Sequence, residues 1–597
     1  MIGEKRATIL LLLILCLTLV AFPNVGIVRA EGTIYIRADG TVEGTDKIQR
    51  DGSVYTFTSD ISASIIVEKD DVVIDGAGYT LQGNGSGYGI HLIHRSYVTI
   101  GNLEIREFDT GIRFYGGSNN TILENSLANN EWGIYLEYSK NNTISGNNLT
   151  NNDKGIRISI SPNNVLRDNQ IENNRYNFKL SGVNFEDYVN DIDASNTVDG
   201  EPIYYWVNIK DKTIPLDAGY VTLVNCTGIT VKNLNLTNNG EGIQLAFTEN
   251  STITQNTITN NFEGIFFYGS SGNNISANYI ANNEANGISI RGGKNTLLDN
   301  TIINNGANGV LLYFSNYNTI RGNKITENYS GLDIYGSQYN SMSGNSIANN
   351  SVVGLWFFGS YSNCLLGNNI TNNQVSIDFQ MDSSSNRIYY NNFVNNKVHF
   401  EDTSANFWDN GTIGNYWSDY TGIDWNGDGI GDTAYSIAEN NRDNYPMMEP
   451  VGALMAPVTI FDAGTWEGKK FIVYVVSNST VSEFSFDPEG TRIGFNVMSE
   501  TGTAGFCNVT IPKGLLYAEG GWGVLVDENF VTPTIDEDVT NTYLYFNYNH
   551  SNKIVKIIGT DAIPEFPSLT PPLITLIALV AVARIYRRKL QNRGRNK

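Results

Sequence analysis

The nine-residue segment Asp424–Asp432 has the composition and spacing of a calcium-binding loop. Oxygen donors stand at loop positions 1, 3, 5, 7 and 9, which are Asp424, Asn426, Asp428, the main-chain carbonyl of Ile430, and Asp432. Gly429 occupies position 6, where such a loop turns sharply, but Tyr435 stands where a glutamate normally closes the shell. We therefore predict a structural calcium ion whose last ligand comes from elsewhere, with Asp419 and Asp443 as candidates.

Aromatic residues form a second candidate site. They stand two and four residues after a glycine that itself recurs along the chain, at Tyr268, Tyr313, Tyr335, Trp356 and Phe358. If each recurrence is one strand of a stacked sheet, these side chains follow one another at about 4.8 Å and form a stripe on one face. The apolar C–H faces of sugar rings stack on such surfaces, so the stripe predicts glycan binding.

Two carboxylates, Asp333 and Asp378, fall in the same column on either side of Trp356. Two strand spacings separate them by roughly 9 to 10 Å, near the upper end for the carboxylate pair of an inverting glycosidase. The alternative function is therefore a polysaccharide hydrolase or lyase that uses these two residues. Against it, aspartate is common on solvated faces, and aromatic residues favour strands in any case.

Copper is a further possibility that the sequence disfavours. Copper sites gather His, Met or Cys at ligand spacing. The chain has only four histidines, and His91 and His94 are the only close pair. Two histidines on one strand are more typical of an exposed surface than of a copper site.

The elements that carry these residues are set by a repeat. An asparagine recurs in steps of 22 or 23 residues, apart from one gap of 87, at Asn125, Asn147, Asn169, Asn256, Asn278, Asn300, Asn323, Asn345, Asn368 and Asn391. An apolar residue precedes each asparagine by three positions and another follows it by two, as Ile122 and Leu127 do around Asn125. A period this short leaves no room for packed helices, so we predict an all-β, right-handed parallel β-helix with rungs of about 22 residues.

Asparagine and glycine are predicted to form the corners of each rung. Asparagine tolerates the left-handed backbone region and glycine visits it freely, so Asn-Asn pairs such as Asn129-Asn130 and the glycine column at Gly111, Gly133 and Gly155 are assigned to turns. Stacked asparagine side chains are also expected to hydrogen-bond along the axis. Within strands, alternation sends Leu332 and Ile334 inward and Asp333 and Tyr335 outward.

Composition excludes some partners. The chain has 597 residues, 41% of them hydrophobic and 17% charged, with a formal net charge of -22. These values are typical of a folded protein and exclude nucleic acid as a favoured partner. Acidic polysaccharides are expected to be repelled unless cations bridge them, whereas neutral glycans and divalent cations are compatible with the charge.

The two ends indicate export and anchoring. Residues 1–30 have the basic start, apolar run and small-residue cleavage site of a signal peptide. Residues 563–571 form a linker, residues 572–586 a transmembrane anchor or sorting signal, and residues 587–597 a basic tail that is expected to stay in the cytoplasm. The protein is therefore predicted at the extracellular face of the cell membrane, anchored at its C-terminus. Sequons such as Asn235 and Asn369 permit glycosylation.

Between these ends we predict two domains. Residues 31–450 form the β-helix, with an N-terminal cap, an insertion near 178–220 that has its own aromatic cluster, and an aromatic C-terminal cap that contains the calcium loop. Residues 451–562 change to β-branched and aromatic strands separated by turn residues, which is typical of a β-sandwich, here a stalk. Cys226, Cys364 and Cys507 are too few and too distant to predict a disulfide framework.

A family resemblance rests on the end of the repeat region. The segments 414–420 (GNYWSDY), 424–432 (DWNGDGIGD) and 443–447 (DNYPM) resemble the end of the NosD-like right-handed parallel β-helix repeat family, and the similarity spans residues 32–450. The segment 563–568 (IPEFPS) resembles an archaeal surface-protein sorting signal. The resemblance implies a secreted β-helix of a type shared with carbohydrate-binding proteins and sugar hydrolases. It also implies, as the least favoured role, an accessory protein for copper-site maturation.

Taken together, the residues favour a surface-anchored, largely structural or adhesive β-helix protein that binds a polysaccharide, a cell-surface glycan or another cell-envelope component through its outward aromatic face. A purely structural spacer is the third possibility.

Overall fold

The structure of this protein, a computed structural model, describes residues 32–397, 404–438, 441–451, 458–466, 468–499, 501–502, 504–537 and 540–562. The predicted signal peptide, linker, anchor and basic tail lie outside the described residues. Within the described ranges the chain has no α-helix, only a 3-10 turn at Phe185–Tyr188, and no helix there is long and apolar enough to cross a membrane. The chain divides into two compact units, and the division falls within the strands Thr257–Thr259 and Glu263–Tyr268.

The first unit comprises residues up to 229 with 233–248 and 258–266, and its strands form three faces of a parallel β-helix. The first face holds the six-residue strands, here called the long strands, and contains Val42–Glu43, Ile34–Ile36, Ile65–Val67, Tyr88–Ile93, Thr110–Tyr115, Trp132–Glu137, Lys154–Ser159 and Tyr176–Ser181. The second contains Ile48–Asp51, Val54–Phe57, Val73–Asp75, Thr99–Gly101, Thr121–Leu123, Thr143–Ser145, Val165–Arg167 and Asp191–Ile192. The third contains Thr80–Gln82, Glu104–Arg106, Ser126–Ala128, Asn148–Thr150, Gln170–Glu172, Thr197–Val198, Glu201–Val207, Tyr220–Val224 and Glu241–Ala246, and Asn235–Thr237 adds a further short strand.

The second unit contains residues 230–232, 249–257 and those from 267 onward. One face holds Thr230–Lys232, Thr252–Thr254, Asn274–Ser276, Thr296–Leu298, Thr319–Arg321, Ser341–Ser343, Cys364–Leu366 and Arg387–Tyr389. The next holds Tyr279–Ala281, Thr301–Ile303, Lys324–Thr326, Ser346–Ala348, Asn369–Thr371, Asn392–Val394 and Tyr416–Trp417. Its long strands are Asn308–Tyr313, Ser330–Tyr335, Val353–Phe358 and Val375–Gln380, and the four-residue strand Ile288–Arg291 lies in the same sheet.

The predicted period is confirmed by the strand register. Ile122 pairs with Ile100 and Ile144, and Leu127 pairs with Ile105 and Leu149, each in the neighbouring parallel strand. All of these side chains are fully buried. Because each rung places the same residue type over its neighbour, the core is a set of continuous aliphatic columns, as expected for a solenoid.

The recurring asparagines point into the protein and form the predicted hydrogen-bonded ladders. The Asn278 side-chain amide donates to Ile253 O at 2.9 Å and to Asn300 Oδ1 at 2.9 Å, and the same oxygen accepts the Asn278 main-chain N–H at 3.0 Å. The left-handed conformation is taken by the preceding residue, as at Asp299 with φ 53°. In an Asn-Asn pair such as Asn129-Asn130, the first asparagine has φ 56° and the second is buried in a ladder.

The glycine column does not form the turns that the sequence predicts. Gly133 lies within the strand Trp132–Glu137 and its φ is not positive. A Cβ on Gly133 would lie 2.7 Å from Gly155 O in the next rung and 2.7 Å from a methyl carbon of Leu149. Glycine is therefore required here by the close approach of neighbouring rungs rather than by backbone conformation.

The insertion and the C-terminal cap are both built on rungs of the β-helix. In the insertion, Asp191–Ile192 and Thr197–Val198 pair with the strands of the preceding rung, so the chain keeps coiling. At the cap, Trp417 stacks on Phe393 at 4.3 Å and on Tyr435 at 4.4 Å. Tyr435–Ala438 forms a hairpin with Asn441–Asp443.

Two antiparallel five-stranded sheets follow the β-helix and share one hydrophobic core. The first sheet contains Val458–Trp466, Lys469–Ser477, Ala504–Pro512, Asn541–Asn549 and Thr534–Glu537. The second sheet contains Thr480–Asp487, Arg492–Met498, Lys553–Ile558, Gly523–Val526 and Asn529–Val531. A separate pair is formed by Leu516–Tyr517 and Asp561–Ala562. The sandwich packs on the β-helix of the second unit, where Val458 and Val476 contact Cys364 and Leu366. Ser341 Oγ donates to Val458 O at 2.7 Å. The sequence did not predict this packing.

Candidate functional site

The long strands of the second unit bring three of the predicted aromatic residues together. Register places Tyr313 beside Tyr335 and Tyr335 beside Phe358 in consecutive rungs. Their rings stack, with centroids 5.0 and 4.6 Å apart and interplanar angles of 16° and 5°. These three rings are called the aromatic ladder. The ring spacing follows directly from the strand spacing, which is why the stack is regular.

The ladder presents ring edges rather than ring faces. Both faces of Tyr335 are covered by its neighbours, and the guanidinium of Arg291 lies 4.7 Å from the Tyr313 ring centroid. All three ladder rings are half-buried. The rings therefore form a rigid wall, and a sugar would contact their edges. This differs from the open stacking stripe that the sequence predicts.

Phe314 supplies the exposed ring that the ladder lacks. Its side chain is 63% exposed, and its ring stands edge-on to Tyr313 at 4.7 Å and to Tyr335 at 5.6 Å. Sequence reasoning missed this residue because it lies one position beyond the expected column. A signal was present: the equivalent position of the next rung is Gly336, which leaves space beside a large residue at 314.

The remaining predicted ligand-binding residues lie at the margins of the ladder. Trp356 is half-buried and stands edge-on to Phe358 at 5.8 Å and 69°. Its Nε1 is buried and finds no acceptor among the described residues. Tyr268 is half-buried at the end of its long strand.

The two candidate carboxylates are aligned as predicted but buried. Trp356 pairs with Asp333 on one side and Asp378 on the other, so the three residues form one column. Asp333 is only 4% exposed and Asp378 only 8%. Burial raises the pKa of Asp333 to about 7, against a smaller opposing effect of its hydrogen bond with Ser330. Gln380 Nε2 donates to Asp378 Oδ2 at 2.7 Å. The column is on the outer face of the strands, but its two carboxyl groups are shielded from solvent.

A cleft lies on the same rungs as the ladder. It has a volume of about 490 Å³ and is lined by Tyr317 and Tyr339 from the β-helix and by Phe461 and Asp462 from the sandwich. The two tyrosine rings stack at 5.2 Å, and Lys470 Nζ lies 4.5 Å from each ring centroid. This concave surface combines aromatic walls with a few charged groups, as small-ligand sites commonly do.

In the predicted calcium loop, the Asp424 carboxylate accepts hydrogen bonds from main-chain N–H groups of the same loop. Asp424 Oδ1 accepts the N–H of Gly427 at 2.7 Å, and Oδ2 accepts that of Gly429 at 2.8 Å. These bonds lower the pKa of Asp424, so it carries the charge that a cation requires. Of the proposed completing ligands, Asp419 accepts the Tyr435 hydroxyl and Asp443 accepts Trp417 Nε1–H at 2.9 Å.

Within the described ranges, no three His, Cys, Asp or Glu side chains come close enough together to hold a metal. The loop from Asp424 to Asp432 has the donor types of a calcium loop, including Asn426 and the Ile430 carbonyl, and calcium binding there stays a prediction. No third His, Cys, Asp or Glu side chain within the described ranges joins His91 and His94 in a metal-binding group. Burial, with Arg113 nearby, lowers the pKa of His91 to about 4, and its ring lies 4.5 Å from that of Tyr88 at an angle of 53°. No chemical step is assigned to copper.

Family comparisons match two successive stretches of the chain. Residues 64–203 match the family described as "Right handed beta helix region", and residues 207–422 match the family described as "Periplasmic copper-binding protein (NosD)". No curated protein sequence matches the chain significantly.

Several solved structures share a β-helical likeness at low identity. The A-module of mannuronan C-5 epimerase AlgE6 from Azotobacter vinelandii is 16% identical, over 59% of this chain and 87% of that one, with a TM-score of 0.24. The periplasmic alginate epimerase AlgG is 14% identical over 62% and 82%, with a TM-score of 0.30. The Dettilon tailspike protein is 11% identical over 83% and 87%, with a TM-score of 0.29. Scores this low carry no argument about activity.

The fold and the family matches agree on one assignment. The two matched stretches together span residues 64–422, which carry the repeating rungs and asparagine ladders described above. Residues 64–422 therefore form a NosD-like right-handed parallel β-helix, in which residues 207–422 match the NosD family itself.

Proposed function

We propose that this chain is an exported, surface-anchored protein that binds glycans through the outer face of the long strands in its second unit. The observation that carries the proposal is the arrangement of Phe314 on the aromatic ladder: an apolar ring that is 63% exposed is held edge-on by two rings. An exposed aromatic ring held this rigidly loses little conformational freedom on binding, which favours affinity.

The chemistry of this face suits neutral sugars. Phe314 offers an apolar surface to C–H groups, and Tyr313 and Tyr335 each carry a hydroxyl that can donate to or accept from sugar hydroxyls. The buried Asp333 and Asp378 place little charge at the surface. The cleft with Tyr317 and Tyr339 lies on the same rungs and offers aromatic walls to a further sugar unit.

The test is retention of the full chain, purified in detergent, on immobilised neutral polysaccharides. Phe314→Ala is expected to weaken binding about tenfold or more, because the main contact ring is removed. Tyr279→Ala is the matched control, since Tyr279 is also aromatic and 46% exposed but stands on a different face. Equal retention of wild type and Phe314→Ala would contradict the proposal, as would equal losses in the two variants.

Anchoring at the cell surface is part of the same proposal and rests on the sequence of the two ends. A chain that stops after Ala562 is expected in the culture medium, whereas the full chain is expected in the membrane fraction. Recovery of both forms in the cytoplasm would contradict export.

Polysaccharide cleavage is the second candidate function, and the burial of Asp333 favours keeping it. A carboxyl group with a pKa of about 7 is in part protonated at neutral pH and can act as a general acid. Cleavage is tested by following new reducing ends and new unsaturated ends in the same incubations. Products that disappear in Asp333→Asn would support an enzyme, and retention without products would support a binding protein.

A further inference from the structure

The long strands of the first unit carry cations on their outer face. Register places five outward residues in one column on consecutive rungs: His91, Arg113, Tyr135, Arg157 and Lys179. Trp132 and Lys154 stand beside this column on the same strands. A chain with a net charge of -22 thus presents a row of arginine and lysine interleaved with aromatic rings. These seven residues are called the cationic face.

Most cations of this face already have a carboxylate partner. Arg113 pairs with Glu137, and Lys154 pairs with Asp153 at 2.5 Å. Lys179 Nζ lies 3.3 Å from Glu241 Oε1. Arg157 takes part in none of these salt bridges, so it is the cation of this face whose role remains to be explained.

Arg157 forms no salt bridge in the part of the chain that the structure describes, and the carboxyl group on which its charge acts is the buried Glu241, which already pairs with Lys179. Its guanidinium lies 5.0 Å from the Trp132 ring centroid and 4.9 Å from that of Tyr135. Its Nε is buried, with no acceptor among the described residues. Arg157 as a whole is half-buried, so an anion is expected to pair with the outer nitrogens of the guanidinium rather than with Nε.

The position of Arg157 also favours an extended ligand. Arg113 and Arg157 stand two rungs apart, about 9 to 10 Å along the axis, with Tyr135 between them. Two cations in line along a straight sheet, separated by an aromatic ring, match a linear polymer whose charged groups recur. Arginine suits this role because its planar fork binds a carboxylate through two hydrogen bonds.

We propose that the cationic face binds an acidic polysaccharide, with Arg157 as the main ligand of a sugar carboxylate and with Trp132 and Tyr135 as the surface on which the sugar rings lie. The net charge of the chain predicts repulsion of acidic polysaccharides. The arginine and lysine side chains of the cationic face attract them locally, and this attraction outweighs the repulsion. The site uses different residues from those of the proposed function, so either proposal can fail without the other.

The test measures binding of the full chain, in detergent, to polygalacturonate and to the same polymer after reduction of its carboxyl groups. EDTA is present throughout, so that calcium cannot bridge the ligand to acidic groups of the protein. We expect polygalacturonate to bind about tenfold or more tightly than the reduced polymer, as loss of charge-assisted hydrogen bonds implies. We also expect the affinity to fall as ionic strength rises.

Arg157→Met keeps the apolar stem of the side chain while it removes the charge, so the fold is expected to be retained with an unchanged or higher Tm. Its affinity for polygalacturonate is expected to fall about tenfold, with Arg157→Lys between it and wild type. Arg321→Gln, which removes one positive charge from a short strand of the second unit, is the matched control.

Unchanged affinity of Arg157→Met would overturn the proposal. Equal losses in Arg157→Met and Arg321→Gln would also overturn it, because only net charge would then matter. Phe314→Ala is expected to leave polygalacturonate binding unchanged, which separates this site from that of the proposed function.

Discussion

The ring of Phe314 lies directly over Gly336 of the next rung. A Cβ on Gly336 would come within 2.5 Å of the ring atom Cε1. Because Gly336 has no side chain, the exposed ring of Phe314 can pack against the aromatic ladder. Gly359, one rung further on, has the same φ of 57°, but a Cβ there would meet only a main-chain oxygen at 3.8 Å.

These two glycines make a matched pair for testing the glycan-binding surface. Both alanine variants impose the same backbone strain, on the order of 1 kcal/mol. Only Gly336→Ala displaces the Phe314 ring, so we expect it to lower affinity for neutral glycans while Gly359→Ala does not. Binding isotherms and thermal melts of both variants check this. Similar glycan affinities of Gly336→Ala and Gly359→Ala would show that the packing of Phe314 over Gly336 does not affect binding.

Stability is predicted to fall as pH rises from about 4 to about 7. Burial raises the pKa of Asp333 to about 7, of Glu241 to about 7 and of Asp443 to about 6, so each carboxyl binds its proton more tightly in the folded state. The stabilisation is fully present below the pKa of the unfolded chain and is lost as pH rises through the folded pKa.

The share of Asp333 in this effect is isolated by Asp333→Asn, which removes the buried charge. The variant is expected to gain stability relative to wild type between pH 4 and pH 7, by on the order of 2 to 4 kcal/mol. Urea midpoints at several pH values measure the difference. Asp299→Asn, at an exposed turn, is the control. A difference that does not vary with pH contradicts the assignment.

The asparagine ladder is predicted to be essential to stability. Asn300→Ala would deprive the Asn278 amide and main-chain N–H of their acceptor, and Ile275 O and Asn323 Oδ1 of a donor. Several buried polar groups would lose a partner, so the expected cost is about 3 to 5 kcal/mol. Thr301→Ala, the next residue, is the control because its side chain points outward. A cost below about 1 kcal/mol for Asn300→Ala would show that the ladder is dispensable.

Calcium is predicted to stabilise the C-terminal cap. Addition of the ion at about millimolar concentration, the range of extracellular sites, is expected to raise the Tm, and EDTA to reverse the rise. Asp428→Asn removes one charged donor and should abolish most of the response. Control melts with magnesium test selectivity, because magnesium prefers a smaller octahedral shell. Identical melts with calcium and with EDTA would indicate a plain Asp/Gly turn.

The sequence alone determined the periodic part of this protein. A 22-residue spacing of Asn125, Asn147 and Asn169 with flanking aliphatic residues is a local pattern that repeats, and each rung contacts mainly its neighbours. Core, register and ladder therefore follow from the pattern of a single rung. An aromatic segment directly after the last repeat also predicts a cap, because the last rung has an apolar end to cover.

Only the tertiary structure decided what happens on the outer face. Whether Asp333 is solvated, whether Tyr335 shows its ring face, and whether Arg157 has a partner all depend on side chains more than 20 residues away in sequence. The spacing of 22 or 23 residues predicts which side chains are neighbours, but not their ring orientations or burial. Those properties depend on how neighbouring side chains pack, and no single rung encodes that packing.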